Sequence, residues 1–336
     1  MEEFTDKRAE EIASVSSASE NNSTSTLLDE SSSVQKTSED DGGFCEENKA
    51  QSTTKYPFTW LDVVMIVLCF AISQGLGGLI AMSFGVEIPS EYMRSSLDTE
   101  TLEASATIQA RFVAISYLIS MAICLVLLGI YARFRGWRGL LSLRSLGWAS
   151  PFRLLCGYIF MWMVSISLEP LTALLPGDQS SLGSGGWLLL SAVLLAPIFE
   201  EVVFRGYIAG GLRRAYGGVV AWIVSALKFG AVHVIPSVAV SAFFSGLVLS
   251  FYYLRYRSLS LVILLHAANN ATACFLLSFG MQELSLKDLM HGSNLYWGVY
   301  ALCTLICVSL LLRMGRLLSR LKSDNSELKR EYSLIK

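Results

Sequence analysis

Three ionisable side chains, Glu200, Glu201 and Arg205, stand inside an apolar stretch that runs 22 residues from Trp187 to Ile208. A helix needs roughly 20 such residues to cross a bilayer. An ionised group at the centre of a membrane helix costs about 2.5–3.5 kcal/mol, so three on one segment call for a reason beyond packing. Further along, Lys228 and His233 interrupt a second apolar stretch, and His266, Asn269 and Asn270 a third. Glu201 and Arg205 are four apart, so on a helix they face each other and can pair. Glu200 is turned about 100° away and is free to point elsewhere. Phe229 and His233 are also four apart, as are His266 and Asn270.

Each group has a plain reading. Glu201–Arg205 can be an internal ion pair that fixes packing, a membrane histidine can be a hydrogen-bonded packing residue, and an asparagine can link helices for roughly 0.6–2 kcal/mol. Six ionisable groups on three helices, however, cost on the order of 10 kcal/mol unless they converge on a wet cavity. A glutamate and a histidine in such a cavity can activate water, because burial favours a proton-accepting carboxylate and the histidine holds the water in place. A second histidine and an asparagine supply donors for a developing oxyanion. No Gly-x-Ser-x-Gly motif or conspicuous cysteine offers a nucleophile. The inventory therefore suits hydrolysis of an acyl bond without a cofactor. Two other classes fit the same residues: a zinc hydrolase with Glu200, His233 and His266 as ligands, and a protein that conducts protons or ions or serves as a membrane scaffold.

The elements that carry these groups follow from composition. Of 336 residues, 53% are hydrophobic and 16% charged, where a soluble domain has about 25% charged. This predicts an all-α, polytopic membrane bundle. The net charge of −2 and the lack of a basic run argue against a nucleic-acid partner. Residues 1–54 are rich in Ser, Thr, Asp, Glu and Asn and read as a disordered tail. No basic segment followed by an apolar one opens the sequence at Met1, so the first membrane helix is expected to act as the insertion signal. Apolar windows fall near 58–83, 112–132, 153–175, 187–208, 218–235, 237–254, 259–279 and 294–312, which makes about eight spans. Ile235-Pro236-Ser237 separates the fifth from the sixth. The domains so outlined are the tail, N-terminal helices and loops over 55–185, a core over 186–280, and a last helix with a basic tail over 281–336. Seven cysteines, none in CxxC spacing, read as apolar filling rather than a disulfide framework or metal site.

Arginines collect after alternate spans: Arg133, Arg135, Arg138 and Arg144, then Arg213 and Arg214, then Arg255 and Arg257, then Arg313, Arg316 and Arg320 with Lys322. Residues 176–186 and 235–237 hold no positive charge. By the positive-inside rule, both termini are cytoplasmic and the chain crosses eight times. Glu169-Pro170 is expected to kink the third span near its far end.

Glu200-Glu201-x-x-x-Arg205, Phe229-x-x-x-His233 and His266-x-x-x-Asn270, in that order within 71 residues, resemble the signature of the CPBP intramembrane proteases. That family includes the type II CaaX prenyl endopeptidases, bacteriocin-processing and immunity proteins, and lysostaphin-resistance-like proteins. Phe244-Ser-Gly-Leu and the run from Ser258 to Asn270 also resemble its later helices. The likeness covers roughly residues 186–280. It implies a metal-independent, glutamate-type endopeptidase acting on a peptide or lipidated protein at the bilayer. Glu200 and His233 would activate water, His266 and Asn270 would stabilise the oxyanion, and Glu201, Arg205 and Phe229 would shape the site. Lys228 departs from the family pattern, which has an apolar residue there; such a cation can snorkel or pair with a carboxylate. Counted along the expected spans at 1.5 Å per residue, Glu200 lies about 12 Å from the arginine-rich face and His233 about 22 Å. Tilted or broken helices are needed to close that gap.

Overall fold

Asp62 begins the bundle by doing two jobs at once. In the first turn of α1 (Trp60–Ser83) it accepts from Thr59 N at 2.6 Å and Thr59 Oγ1 at 2.8 Å, which caps the helix. It also receives the Tyr131 hydroxyl at 2.6 Å and the Arg135 guanidinium at 2.8 Å from the end of α2 (Thr99–Arg135). Phe58 stacks on Trp137 at 5.0 Å beside this cluster. α1 and α2 are thereby locked as an antiparallel pair.

The computed structural model describes residues 57–90, 98–137, 149–176, 183–279 and 285–321, all within the unit Gln51–Lys336. The tail expected over 1–54, and Arg94, Arg138, Arg144 and Lys322, lie outside the described residues. After α1 and α2 come α3 (Pro151–Thr172), α4 (Gly186–Tyr216), α5 (Gly218–Ala231), α6 (Pro236–Tyr256), α7 (Leu259–Ser278) and α8 (Asn294–Leu318). A single helical turn, Leu286–Leu289, precedes α8. No strand occurs among the described residues. All of these helices except α5 are long and apolar enough to cross a membrane, which makes seven; α5 is apolar but only 14 residues long. The protein is a polytopic all-α membrane protein.

Three expectations need correction. The helix expected at 112–132 begins at Thr99, because Asp98 accepts from Thr101 N at 2.9 Å and caps a run of good helix formers. The fourth helix does not stop at Ile208 but continues to Tyr216, where Gly217 (φ 88°) supplies the left-handed turn into α5. The fifth ends at Ala231, so the connection is 232–235, and Pro236 already opens α6. α3 ends two residues past Pro170, and Glu169 accepts from Lys287 N at 3.0 Å, holding the turn before α8.

The arginine-bearing helix ends share one side. Gly218 N bonds Leu321 O at 2.9 Å, which sets the start of α5 beside the end of α8. Arg153 lies over Tyr256 at 4.3 Å, which sets the start of α3 beside the end of α6. A Cβ on Gly211 of α4 would overlap the Phe58 ring before α1, so this close approach requires glycine. On the opposite side Ser237 N bonds Pro176 O at 3.2 Å and Ser184 N bonds Ala106 O at 3.2 Å. α6 is the most deeply enclosed span.

Candidate active site

Pro197 sets the backbone on which the acidic pair sits. The helix is π-wound over Leu190–Leu195, where Ala196 N bonds Ser191 O, five residues back. The next donor in that register would be Pro197 N, which carries no hydrogen, so Ala192 O loses its helical partner. Asn270 Nδ2 from α7 donates to Ala192 O at 2.8 Å and replaces it. A second π segment, Val202–Ala209, follows the α-helical turns Ala196–Glu201, and there Ser225 Oγ of α5 donates to Phe204 O at 2.9 Å. Glu200 and Glu201 thus stand between two distortions of α4, each tied from a neighbouring helix. Membrane helices accept irregular backbone where neighbours satisfy it, and π turns recur at functional sites.

Glu201 and Arg205 are both fully enclosed. Arg205 Nη1 reaches Glu201 Oε1 at 2.8 Å, as the four-residue spacing anticipates. Arg205 Nη2 reaches Gly246 O at 3.4 Å, and the guanidinium lies over the Phe229 ring at 4.2 Å. His266 Nδ1 also meets Glu201 Oε1, at 2.9 Å. A carboxylate paired with arginine only accepts, so His266 Nδ1 carries the proton and Nε2 is left for other work.

Glu200 points elsewhere. Its Oε1 accepts from the Tyr117 hydroxyl of α2 at 2.9 Å, and its Oε2 lies 4.0 Å from His266 Nε2. That separation is too long for a direct hydrogen bond and suits one bridging water. Sequence reasoning missed Tyr117, which is uncharged and belongs to no motif. A signal was nevertheless present: it sits 18 residues from either end of α2, whereas membrane tyrosines favour the interfaces and a buried hydroxyl needs a partner.

Phe229 joins the parts. Its ring meets His266 at 5.6 Å, His233 at 5.2 Å and Phe204 at 5.3 Å, all edge to face. His233 lies not within a helix but in the connection after α5, half-buried, with Nδ1 2.8 Å from Phe229 O. A carbonyl only accepts, so Nδ1 donates and caps the helix end, and Nε2 is again left free. The expected depth mismatch disappears. Glu200 is sixteen residues from Tyr216, about 24 Å, and His233 fifteen from Gly218, about 22 Å. Lys228, Asn269 and Asn270 are half-buried, and among the described residues no hydrogen bond or ion pair ties Lys228 or Asn269 to the cluster. Among the described residues no three His, Cys, Asp or Glu side chains are grouped to hold a metal ion, and the six described cysteines are free.

Residues 183–272 match the family model described as Type II CAAX prenyl endopeptidase Rce1-like, within the family that the three motifs resemble. The match takes in α4 to α6 and most of α7, with every site residue expected from the sequence; Tyr117 lies outside it. No curated protein was found to match the chain, and no solved structure was found to match it.

Proposed function

We propose that the chain is a glutamate-type membrane endopeptidase that cleaves prenylated, CaaX-type protein ends. The observation that carries this reading is the division of labour within the acidic pair. Glu201 is fully enclosed and its Oε1 takes both Arg205 Nη1 and His266 Nδ1, whereas Glu200 turns Oε2 towards His266 Nε2 at 4.0 Å, with room for a water between them. Arg205 pairs with Glu201, which leaves Glu200 and His266 Nε2 to act on water and substrate. With Glu200 ionised and His266 protonated, the pair is ready for hydrolysis.

Glu200 Oε2 takes a proton from water as its oxygen attacks the scissile carbonyl carbon, and His233 Nε2 orients that water. His266 Nε2–H and the second Asn270 N–H donate to the oxyanion. The proton then passes from Glu200 to the departing amine nitrogen, the C–N bond breaks, and a carboxylic acid and an amine are released. Glu201, Arg205 and Phe229 hold the geometry. The arginine-rich side of the bundle faces the cytoplasm by the positive-inside rule, where prenylated protein ends are found.

Cleavage of quenched fluorescent peptides by the purified protein tests this, with a farnesylated CaaX peptide beside its unmodified twin. Glu200→Gln should lower turnover by at least about 10²-fold, and a chelator should leave it unchanged. A Gln variant that cleaves at the parent rate would sink the assignment. Loss with chelator and recovery with zinc would shift it to a zinc hydrolase.

A further inference from the structure

We infer that Tyr117 is a positioning residue for Glu200, an inference that rests on the proteolytic reading. The site is thereby completed by α2, outside the segment that carries the three motifs. The hydroxyl donates to Glu200 Oε1 at 2.9 Å across 83 residues of sequence. A carboxylate has two equivalent oxygens until something distinguishes them. The Tyr117 bond to Oε1 fixes the rotation of the carboxylate and so directs Oε2 towards His266 Nε2. The ring is fixed in its turn: α2 is held to α1 by the Asp62–Tyr131–Arg135 cluster at one end. Near its other end, Ala106 O of α2 accepts from Ser184 N just before α4. The groups facing Glu200 are Tyr117 from α2, Glu201 and Arg205 from α4 and His266 from α7, with His233 beyond Phe229 at the end of α5. Among the described residues Tyr117 is the uncharged donor to this carboxylate, so its loss removes a bond without removing a charge.

Tyr117→Phe deletes the hydroxyl alone. It should lower kcat about 10–100-fold through misplacement of the base, with KM within about twofold. It should also move the acidic limb of the pH–rate profile to higher pH, because a hydrogen bond that favours the carboxylate is gone. Tyr131→Phe on the same helix is the control: it also removes a hydroxyl bonded to a carboxylate, but at Asp62, and should leave the pH profile in place. An unshifted profile and unchanged kcat in Tyr117→Phe, beside a Glu200→Gln variant that is dead, would overturn the role of Tyr117 and leave proteolysis standing. A second readout needs no turnover. In the infrared spectrum, the carboxylate band absent from Glu200→Gln should shift in Tyr117→Phe and stay fixed in Tyr131→Phe. An unshifted band overturns the inference whether or not any peptide is cleaved.

Discussion

Arg205 is fully enclosed, and its charge is met by Glu201 Oε1 at 2.8 Å, Gly246 O at 3.4 Å and the face of Phe229 at 4.2 Å. Lysine can supply a charge there, but not a planar fork that pairs and stacks at once. Arg205→Met should therefore destabilise the protein by about 3–5 kcal/mol, the cost of leaving the buried Glu201 charge without its arginine. Arg205→Lys should recover only part of this. Thermal unfolding in detergent measures both, and a melting point equal to the parent's for Arg205→Met would show that the ion pair carries no stability. Glu200→Gln differs in kind, since Tyr117 can still donate to the amide oxygen, so its melting point should stay near the parent's while turnover is lost. The Glu201–Arg205 pairing was legible in the sequence because both residues lie on one helix at a spacing that fixes their contact. The Tyr117–Glu200 bond was not, because it joins two helices and only the tertiary packing chooses which mid-membrane hydroxyl meets the carboxylate.

Within α4, the backbone carries information that residue spacing does not. Pro197 removes the donor for Ala192 O, and Asn270 restores it from α7. The two residues are therefore coupled through Ala192 O. Asn270→Ala should cost about 0.6–2 kcal/mol, as interhelical bonds in membranes do. The same change in a Pro197→Ala background should cost less, because residue 197 can then donate to its own helix. A double-mutant cycle by unfolding in detergent reads this coupling, and additive effects would remove the link between Pro197 and Asn270. Peptide cleavage should fall in Pro197→Ala even though the helix is better bonded, since a return to α winding turns Glu200 away from Tyr117 and His266. Sequence periodicity could not show the π turns, because their stability depends on partners 78 residues away at Asn270 and 21 away at Ser225. Nor could it place the end of α4. Gly210, Gly211, Arg213 and Arg214 lie past the apolar window that ends at Ile208, yet they are helical because Gly210, Gly211 and Leu212 are buried and Phe58 packs on Gly211. That extension brings Glu200 and His233 to matching depths.

Across the whole bundle, the eight apolar windows were legible because hydropathy at the length of a bilayer is a strong signal, while the shortness of α5 was not. His233 closes α5 with its own side chain, so what reads as the last turn of a span is a connection. The even alternation survives this. The chain enters α5 beside Leu321 and leaves α6 at Tyr256 beside Arg153, so the hairpin starts and ends on the arginine-rich side even though one arm is short. Arg320 follows α8 on that side, and Leu289 sits in the exposed turn on the other. In a cysteine-free background, Arg320→Cys should react with a membrane-impermeant maleimide only from the cytoplasmic side of sealed vesicles, and Leu289→Cys only from the opposite side. Labelling of both from one side would break the alternation, and the reverse pattern would invert the bundle. An inverted bundle would also place prenylated cytoplasmic proteins on the wrong side of the membrane from the arginine-rich helix ends, so the labelling result bears on the substrate as directly as on the topology.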